Sequence, residues 1–91
     1  MQHYRQMRSH LLPPAGVSVA TGEIVLSMQF AVKGHEVPFK IHALRAICLG
    51  VSREQLEALL MAGFGVTLIA CEVAQALAWL DEACTANRAP V

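Results

Sequence analysis

Residues 34–42 read Gly-His-Glu-Val-Pro-Phe-Lys-Ile-His, and they join two segments whose apolar residues recur at helical spacing. Gly34 predicts the end of the first segment, because helices commonly end at a glycine in the left-handed conformation. Pro38 fits the first turn of the second segment, where its missing N–H costs no hydrogen bond. The stretch therefore predicts a hairpin of two helices, with His35 near the turn and His42 inside the second helix.

Both helices of this hairpin show an apolar side. The first is predicted to begin at Ser18 or Thr21, either of which can cap its first turn. Its apolar positions are Ile24, Met28, Ala31 and Val32. In the second helix we expect one stripe to face the core, made of Val37, Ile41, Leu44 and Cys48. The apolar side is extended by Phe39, Ala43, Ala46 and Ile47.

Two further helices are predicted downstream. Residues 52–55 read Ser-Arg-Glu-Gln, a capping box that marks the start of a third helix. Its inward positions are predicted to be Leu56, Leu59, Leu60 and Gly63. Residues 63–65, Gly-Phe-Gly, predict a break, and a fourth helix is expected from about Val66 to Ala83, apolar nearly all round and therefore central. No strand pattern is present, so the predicted fold class is all-α with four main helices.

The length and composition predict one domain that associates with copies of itself. The 91 residues divide into an N-terminal arm at 1–16, a helical domain at 17–86 and a tail at 87–91. The chain is 55% hydrophobic and only 15% charged, more apolar than an average soluble domain. An apolar excess of this kind is readily covered by a subunit interface. We therefore expect a homo-oligomer, as a dimer, trimer or hexamer.

Other partner classes are disfavoured by charge and by segment length. The formal net charge is zero, which gives no electrostatic case for nucleic acid. Residues 58–71 form an uninterrupted apolar run, but it is shorter than the about 20 residues of a spanning helix, so no membrane association is expected. The three cysteines are widely spaced and predict buried thiols in a reducing compartment, which favours a cytoplasmic location.

Two segments of the chain resemble a known family. Residues 38–46 read Pro-Phe-Lys-Ile-His-Ala-Leu-Arg-Ala and residues 49–59 read Leu-Gly-Val-Ser-Arg-Glu-Gln-Leu-Glu-Ala-Leu. They are similar to the carboxymuconolactone decarboxylase and AhpD-like alkylhydroperoxidase superfamily, in which a histidine-bearing helix, a Gly-Val/Ala-Ser/Thr-Arg-Glu-Glu turn and a helix leading into a glycine-rich break follow in order. The likeness covers residues 17–82. It implies a small AhpD-like helical domain whose core is completed by oligomerisation.

The resemblance also implies a site. The AhpD-like branch carries Cys-x-x-Cys-x-x-x-His with a glutamate on the preceding helix, and its dithiol reduces peroxides while the glutamate and histidine relay protons. The histidine falls on His42 and the glutamate on Glu23, whereas the two cysteine positions fall on His35 and Pro38. Since proline neither ionises nor attacks a peroxide, thiol peroxidase activity by the family mechanism is predicted to be absent. The candidate catalytic residues are Glu23, His35 and His42.

Three functions remain open for this residual Glu/His pocket. In the first, which the resemblance implies, the chain would be a divergent family member, ancestrally linked to peroxide reduction in antioxidant defence, and its pocket would bind a small polar or anionic ligand. Alternatively, it is a cysteine-independent decarboxylase or lactone-processing acid–base enzyme, with Lys40 or Arg45 pairing with substrate carboxylates. The third function is a non-enzymatic oligomeric scaffold or regulatory module, in which Glu23 and His42 satisfy each other in a helix–helix interface.

No cofactor or metal is expected at this pocket. His35 and His42 are separated by about 10.5 Å along a helix axis, which is too far for one ion to bind both directly. Ligands on one helix need a spacing of three or four residues. A metal would require His35 to fold back from the turn, with Glu23 completing the ligand set.

Overall fold

The computed structural model describes residues 16–88, with side chains described up to residue 86. Its four helices are α1 (Val19–Lys33), α2 (Glu36–Cys48), α3 (Arg53–Ala62) and α4 (Ala70–Arg88). Within this part of the chain the only β-type pairing is an isolated bridge between Phe64 and Leu68. The all-α prediction with four helices is therefore confirmed. The predicted arm, except for its last residue, lies outside the described residues.

The turn between α1 and α2 forms as the sequence predicts. Gly34 has a φ of 73°, and its N–H donates to the carbonyls of Phe30 and Ala31 at the end of α1. The next N–H, that of His35, also donates to Phe30. Ser18 caps the other end of α1 by accepting a hydrogen bond from the Thr21 N–H at 3.1 Å. These caps fix the length of α1 and direct α2 back along it.

Replacing Gly34 by alanine is expected to lower the free energy of unfolding by about 1–2 kcal/mol. A Cβ at this position meets no atom within 4 Å, so the loss reports left-handed backbone strain alone. Urea unfolding followed by circular dichroism measures it. Gly34→Asn is the control, because asparagine tolerates this conformation better and should lose less. Equal stability of the alanine variant and the original chain would contradict the assigned turn.

The start of α3 also agrees with the sequence. The Ser52 hydroxyl accepts from the Gln55 N–H, and the Gln55 side chain accepts in return from the Ser52 N–H at 2.8 Å. This is the predicted capping box. Between α2 and α3, Gly50 takes a φ of 101°, which lets the chain reverse after Cys48. This short connection places α3 against the first turns of α1.

The buried face of α2 differs from the predicted one. The residues of α2 that lie in the core are Phe39, His42, Ala43 and Ala46. The stripe expected to face inward is instead exposed at Val37, Ile41 and Cys48, while Leu44 is half-buried. Because successive residues turn by about 100°, these two sets lie on opposite sides of the helix. The buried side combines the small Ala43 and Ala46 with the large Phe39, which packs against Trp79 of α4.

The core is centred where α2 and α4 cross. Phe39 is fully buried, and its ring lies 6.0 Å from that of Trp79. The surrounding apolar side chains come from every helix and include Ala31, Leu56, Leu60, Val73 and Leu80. The inward prediction for Leu59 is also wrong, because this residue is exposed in the single chain, and Val32 of the apolar side of α1 is exposed as well.

The fourth helix begins later than predicted. Residues 63–68 close into a tight turn, in which the Gly65 N–H donates to the Leu68 carbonyl and the Leu68 N–H donates to the Gly63 carbonyl. Gly65 has a φ of 79°, which a continuing helix excludes. The helix starts at Ala70, where the Glu72 carboxylate accepts from the Ile69 N–H at 2.8 Å. It also extends to Arg88, into the region predicted as tail.

The same turn divides the apolar region that includes residues 58–71. Among the described residues, no helix has both the length and the apolar character that crossing a bilayer requires. The prediction of buried thiols holds for Cys84 only, because Cys48 and Cys71 are exposed in the single chain.

Ion pairs connect α4 to its neighbours. The Lys40 Nζ lies 2.6 Å from carboxylate oxygens of both Glu36 and Glu82, and these hydrogen bonds raise the pKa of Lys40 above its usual value. Arg53 bridges Asp81 and Glu57 in the same way, which raises the pKa of its guanidinium. Both networks are solvent-exposed, so each stabilises the fold only slightly. The first network also bears on ligand binding, because the positive charge of Lys40 is already balanced by carboxylates of the same chain.

Candidate functional site

A carboxylate and an imidazole meet where α1 and α2 pack together. The Glu23 Oε2 lies 2.6 Å from the His42 Nδ1, across the hairpin. The hydrogen bond that the sequence predicts between these side chains is therefore present. Both residues are positioned by helix backbone rather than by loops, because the turn at Gly34 sets the two helices antiparallel with these residues facing each other.

The surroundings of the pair are largely dry. The His42 side chain is 7% exposed and that of Glu23 is 12% exposed. The Phe30 ring stacks on the imidazole, with centroids 5.6 Å apart and an interplanar angle of 15°. A buried carboxylate needs a hydrogen-bond donor, and the imidazole supplies one. An ionised carboxylate can only accept a hydrogen bond, so in the bond between Glu23 and His42 the proton is carried by Nδ1 of His42.

The second nitrogen of the imidazole remains available. Nε2 of His42 makes no hydrogen bond to another described residue. In this part of the chain, no buried side-chain nitrogen or oxygen lacks a partner. Nε2 therefore keeps contact with solvent, although the residue as a whole is buried. With Nδ1 protonated, Nε2 presents a lone pair and can accept a proton from an approaching molecule.

The third predicted site residue lies apart from this pair. His35 is the exposed residue before α2, and its side chain makes no capping hydrogen bond. Its ring contacts that of Phe30 at 6.1 Å, and Phe30 in turn stacks on His42. The structure shows no hydrogen bond from His35 to Glu23 or His42. The site thus centres on two of the three predicted residues, with Phe30 between them and His35.

An open cleft borders the pair on the side of Glu23. Its volume is about 500 Å³, and it is lined by Val19, Glu23, Leu44, Arg45, Cys48 and Leu49. Glu23 therefore contacts His42 while also lining the cleft. Cys48, which the sequence analysis assigns to the core-facing stripe of α2, lines the same cleft. Arg45, named with Lys40 in the sequence analysis as a possible partner of substrate carboxylates, also lines the cleft.

Arg45 and Lys40 differ in their availability to a ligand. The Lys40 ammonium is held by Glu36 and Glu82. Arg45 is exposed, lines the cleft, and forms no ion pair with any residue that the structure describes. Of the two basic residues considered from the sequence, Arg45 is therefore the one placed to bind an anion beside Glu23.

Among the described residues, no group of three or more His, Cys, Asp or Glu side chains is arranged to hold a metal ion. Comparison with known proteins finds no family model, curated protein or solved structure that matches the chain significantly.

Proposed function

We propose that the Glu23–His42 pair is the acid–base centre of a small-molecule site, and that the adjacent cleft takes a small apolar molecule bearing a carboxylate. The observation that carries this proposal is the 2.6 Å hydrogen bond between Nδ1 of the buried His42 and the carboxylate of Glu23, which also lines the cleft. Carboxylate–imidazole pairs of this kind fix the tautomer and orientation of a histidine base.

The lining of the cleft supports this ligand class. Val19, Leu44 and Leu49 supply apolar wall, and Arg45 supplies the only cationic group among the lining residues. A guanidinium binds a carboxylate through two parallel hydrogen bonds, which orients the ligand as well as attracting it. A carboxylate held there brings the adjoining part of the ligand towards the Glu23–His42 pair.

The chemistry that this arrangement supports is proton transfer. Glu23, the member of the pair that lines the cleft, accepts a proton from the bound molecule and returns it to a neighbouring atom of that molecule, while the Nδ1–H of His42 donates to the Glu23 carboxylate and holds it in place. Such a step serves a cysteine-independent decarboxylase or lactone-processing enzyme, the second of the functions considered from the sequence. Arg45 would bind the substrate carboxylate. Lys40 is not available for this role, because it is already paired with two carboxylates.

We also infer that the chain is a divergent, cytoplasmic member of the carboxymuconolactone decarboxylase and AhpD-like superfamily. The order of the helices, the capping box at Ser52 and the contact between Glu23 and His42 support this inference. Pro38 lies in the first turn of α2, where the family has its second cysteine. The absence of thiol peroxidase activity by the family mechanism stays a prediction.

Replacing Arg45 by glutamine is expected to weaken the binding of a small apolar carboxylate at least tenfold. A hydrogen bond to a charged group contributes about 1.5–3 kcal/mol, and tenfold corresponds to about 1.4 kcal/mol. Benzoate is a suitable probe, with its binding followed by amide chemical shifts in NMR spectra. Benzamide has the same ring without the charge, and its weaker binding should not change in the variant.

Lys40→Gln is the matched control, because Lys40 is a basic residue of α2 already paired with Glu36 and Glu82. It should leave benzoate binding unchanged. If Arg45→Gln binds benzoate as tightly as the original chain, the assigned anion contact is wrong. If neither benzoate nor hexanoate binds, the scaffold interpretation is favoured, in which Glu23 and His42 only satisfy each other.

A further inference from the structure

A second cleft lies next to the first, and the two share Leu49. The second cleft has a volume of about 570 Å³, and its apolar lining consists of Ala20, Ile24, Leu49, Val51, Ala58 and Leu59. Leu49 caps the end of α2, is 51% exposed and lines the first cleft as well. A molecule bound in the first cleft can therefore reach the second by passing over one side chain.

Helix α1 places the two clefts side by side. Val19 and Glu23 line the first cleft. The residues that follow them, Ala20 and Ile24, line the second. Each of these pairs is four residues apart and lies along one side of the helix, and the two sides are about 100° apart around the helix axis. Together the clefts trace a curved path, which we call the groove, around the first turns of α1.

The two ends of the groove differ in charge. The first cleft contains Arg45 and Glu23, whereas none of the described residues that line the second cleft is charged. Of these, Gln55 alone has a polar side chain, and its carbonyl oxygen is already used in the capping box of α3. Ile24 and Val51 also pack against the hydrophobic core, so this part of the wall is formed before a ligand binds.

We infer that the molecule bound by this site is an unbranched aliphatic carboxylate longer than hexanoate, whose head group binds Arg45 and whose chain passes over Leu49 into the second cleft. The inference rests on the proposed function, because it takes the anion contact at Arg45 from it. A compact molecule would occupy the first cleft alone. An aliphatic chain instead covers Ala58 and Leu59 with methylene groups, and each methylene removed from water strengthens binding.

The shape and polarity of the groove favour an aliphatic chain over other apolar ligands. A flexible chain can bend over Leu49 and follow the curve around α1, which a rigid ring system of the same length cannot do. A peptide fits less well, because its backbone N–H and carbonyl groups need hydrogen-bond partners. Gln55 is the only side chain of the described second cleft that could supply one.

The affinities of hexanoate and decanoate, measured by isothermal titration calorimetry below the micelle-forming concentration, test the inference. The added methylenes of decanoate are expected to strengthen binding about tenfold or more, since full burial of one methylene contributes about fourfold. Decan-1-ol has the same chain without the charge and should bind more weakly than decanoate. Equal affinities for hexanoate and decanoate would overturn the inference.

A substitution in the second cleft tests where the chain lies. Ala58→Glu should lower the decanoate affinity to that of hexanoate, because a chain beside the new carboxylate would strip it of water. It should leave the hexanoate affinity unchanged, and Ala58 is exposed, so the fold should tolerate the change. Ala62→Glu is the matched control, since Ala62 is exposed on the same helix and lines neither cleft. A chain-length preference that survives in Ala58→Glu would show that the chain lies elsewhere.

Methyl NMR spectra of the original chain locate the ligand without a variant. Decanoate should shift the methyl resonances of Ile24, Val51 and Leu59, which line the second cleft. Hexanoate should shift mainly those of Val19 and Leu44 in the first cleft. Decanoate shifts confined to the first cleft would contradict the extended path.

Arg45→Gln separates this inference from the proposed function. If this variant loses benzoate affinity but the original chain binds decanoate no tighter than hexanoate, the anion contact stands and the extended groove is wrong. If decanoate reaches the second cleft but its affinity is the same in Arg45→Gln, the second cleft binds the chain and the proposed head-group contact is wrong. Failure of the original chain to bind either acid would overturn both.

Discussion

Replacing His42 by alanine is expected to lower the free energy of unfolding by about 3 kcal/mol. The change removes the donor that satisfies Glu23, whose carboxylate is 12% exposed and packed between helices. Removing one partner of a buried pair typically costs about 3–5 kcal/mol, because it leaves an uncompensated charge. Loss of the stacked contact with Phe30 acts in the same direction. Urea unfolding followed by circular dichroism measures the change.

Two other variants show whether this loss comes from the pair. Glu23→Gln keeps a hydrogen-bond acceptor near Nδ1 and should lose only about 1 kcal/mol. His35→Ala removes an exposed histidine and should change stability by less than about 0.5 kcal/mol. If His42→Ala proves no more damaging than His35→Ala, the described burial of the pair is wrong. The double variant at Glu23 and His42 should lose less unfolding free energy than the two single variants lose together.

Replacing Phe39 by alanine is expected to cost about 3–5 kcal/mol, the largest single effect on stability. Phe39 is fully buried and packs on Trp79 at the crossing of α2 and α4. A chain of this size has a total stability of about 5–14 kcal/mol, so the variant loses a large fraction of it. Trp79 fluorescence reports the change directly, because the indole lies next to the new cavity.

Phe64→Ala is the control for Phe39→Ala, since it makes the same chemical change at an exposed position in the turn before α4. Its cost should stay below about 0.5 kcal/mol. A comparable loss in the two variants would mean that the core is not centred on Phe39. A Phe39→Leu variant should recover much of the lost stability, because it refills most of the cavity.

The helix ends are the part of the fold that the sequence predicts best. Gly34, Ser18 and the Ser52–Gln55 box act through hydrogen bonds and backbone conformations within a few residues, so local sequence determines them. The start of α4 was missed for a related reason. Residues 66–69 are apolar, and periodicity alone does not reveal that hydrogen bonds between Gly63, Gly65 and Leu68 close a turn first.

The orientation of α2 was harder to predict, because two of its sides are apolar. Spacing alone cannot distinguish the side of Val37 and Ile41 from the side of Phe39, Ala43 and Ala46. The single chain buries the side of Phe39, Ala43 and Ala46 and leaves Val37 and Ile41 exposed, so the predicted stripe is on the wrong side of the helix.

The site was predictable in part. The family resemblance pointed to Glu23 and His42, and the structure joins them by a hydrogen bond. It also pointed to His35, because that position corresponds to a cysteine in the family, but the turn leaves His35 exposed beyond Phe30. The cleft residue Cys48 was not among the predicted site residues, because its stripe was assigned to the core, whereas in the structure Cys48 is exposed and lines the cleft.

The state of the His42 imidazole tests the central claim most directly. Nitrogen-15 NMR spectra of the histidine rings, assigned by comparison with His42→Gln, report which nitrogen carries the proton and whether Nδ1, which is bonded to Glu23, responds to benzoate. The account predicts that Nδ1 is protonated in neutral His42, that Glu23→Gln weakens this preference, and that the Nδ1 resonance shifts when benzoate binds beside Glu23. A proton on Nε2 in place of Nδ1, or an Nδ1 resonance that benzoate leaves unchanged, would contradict an acid–base site at the Glu23–His42 pair.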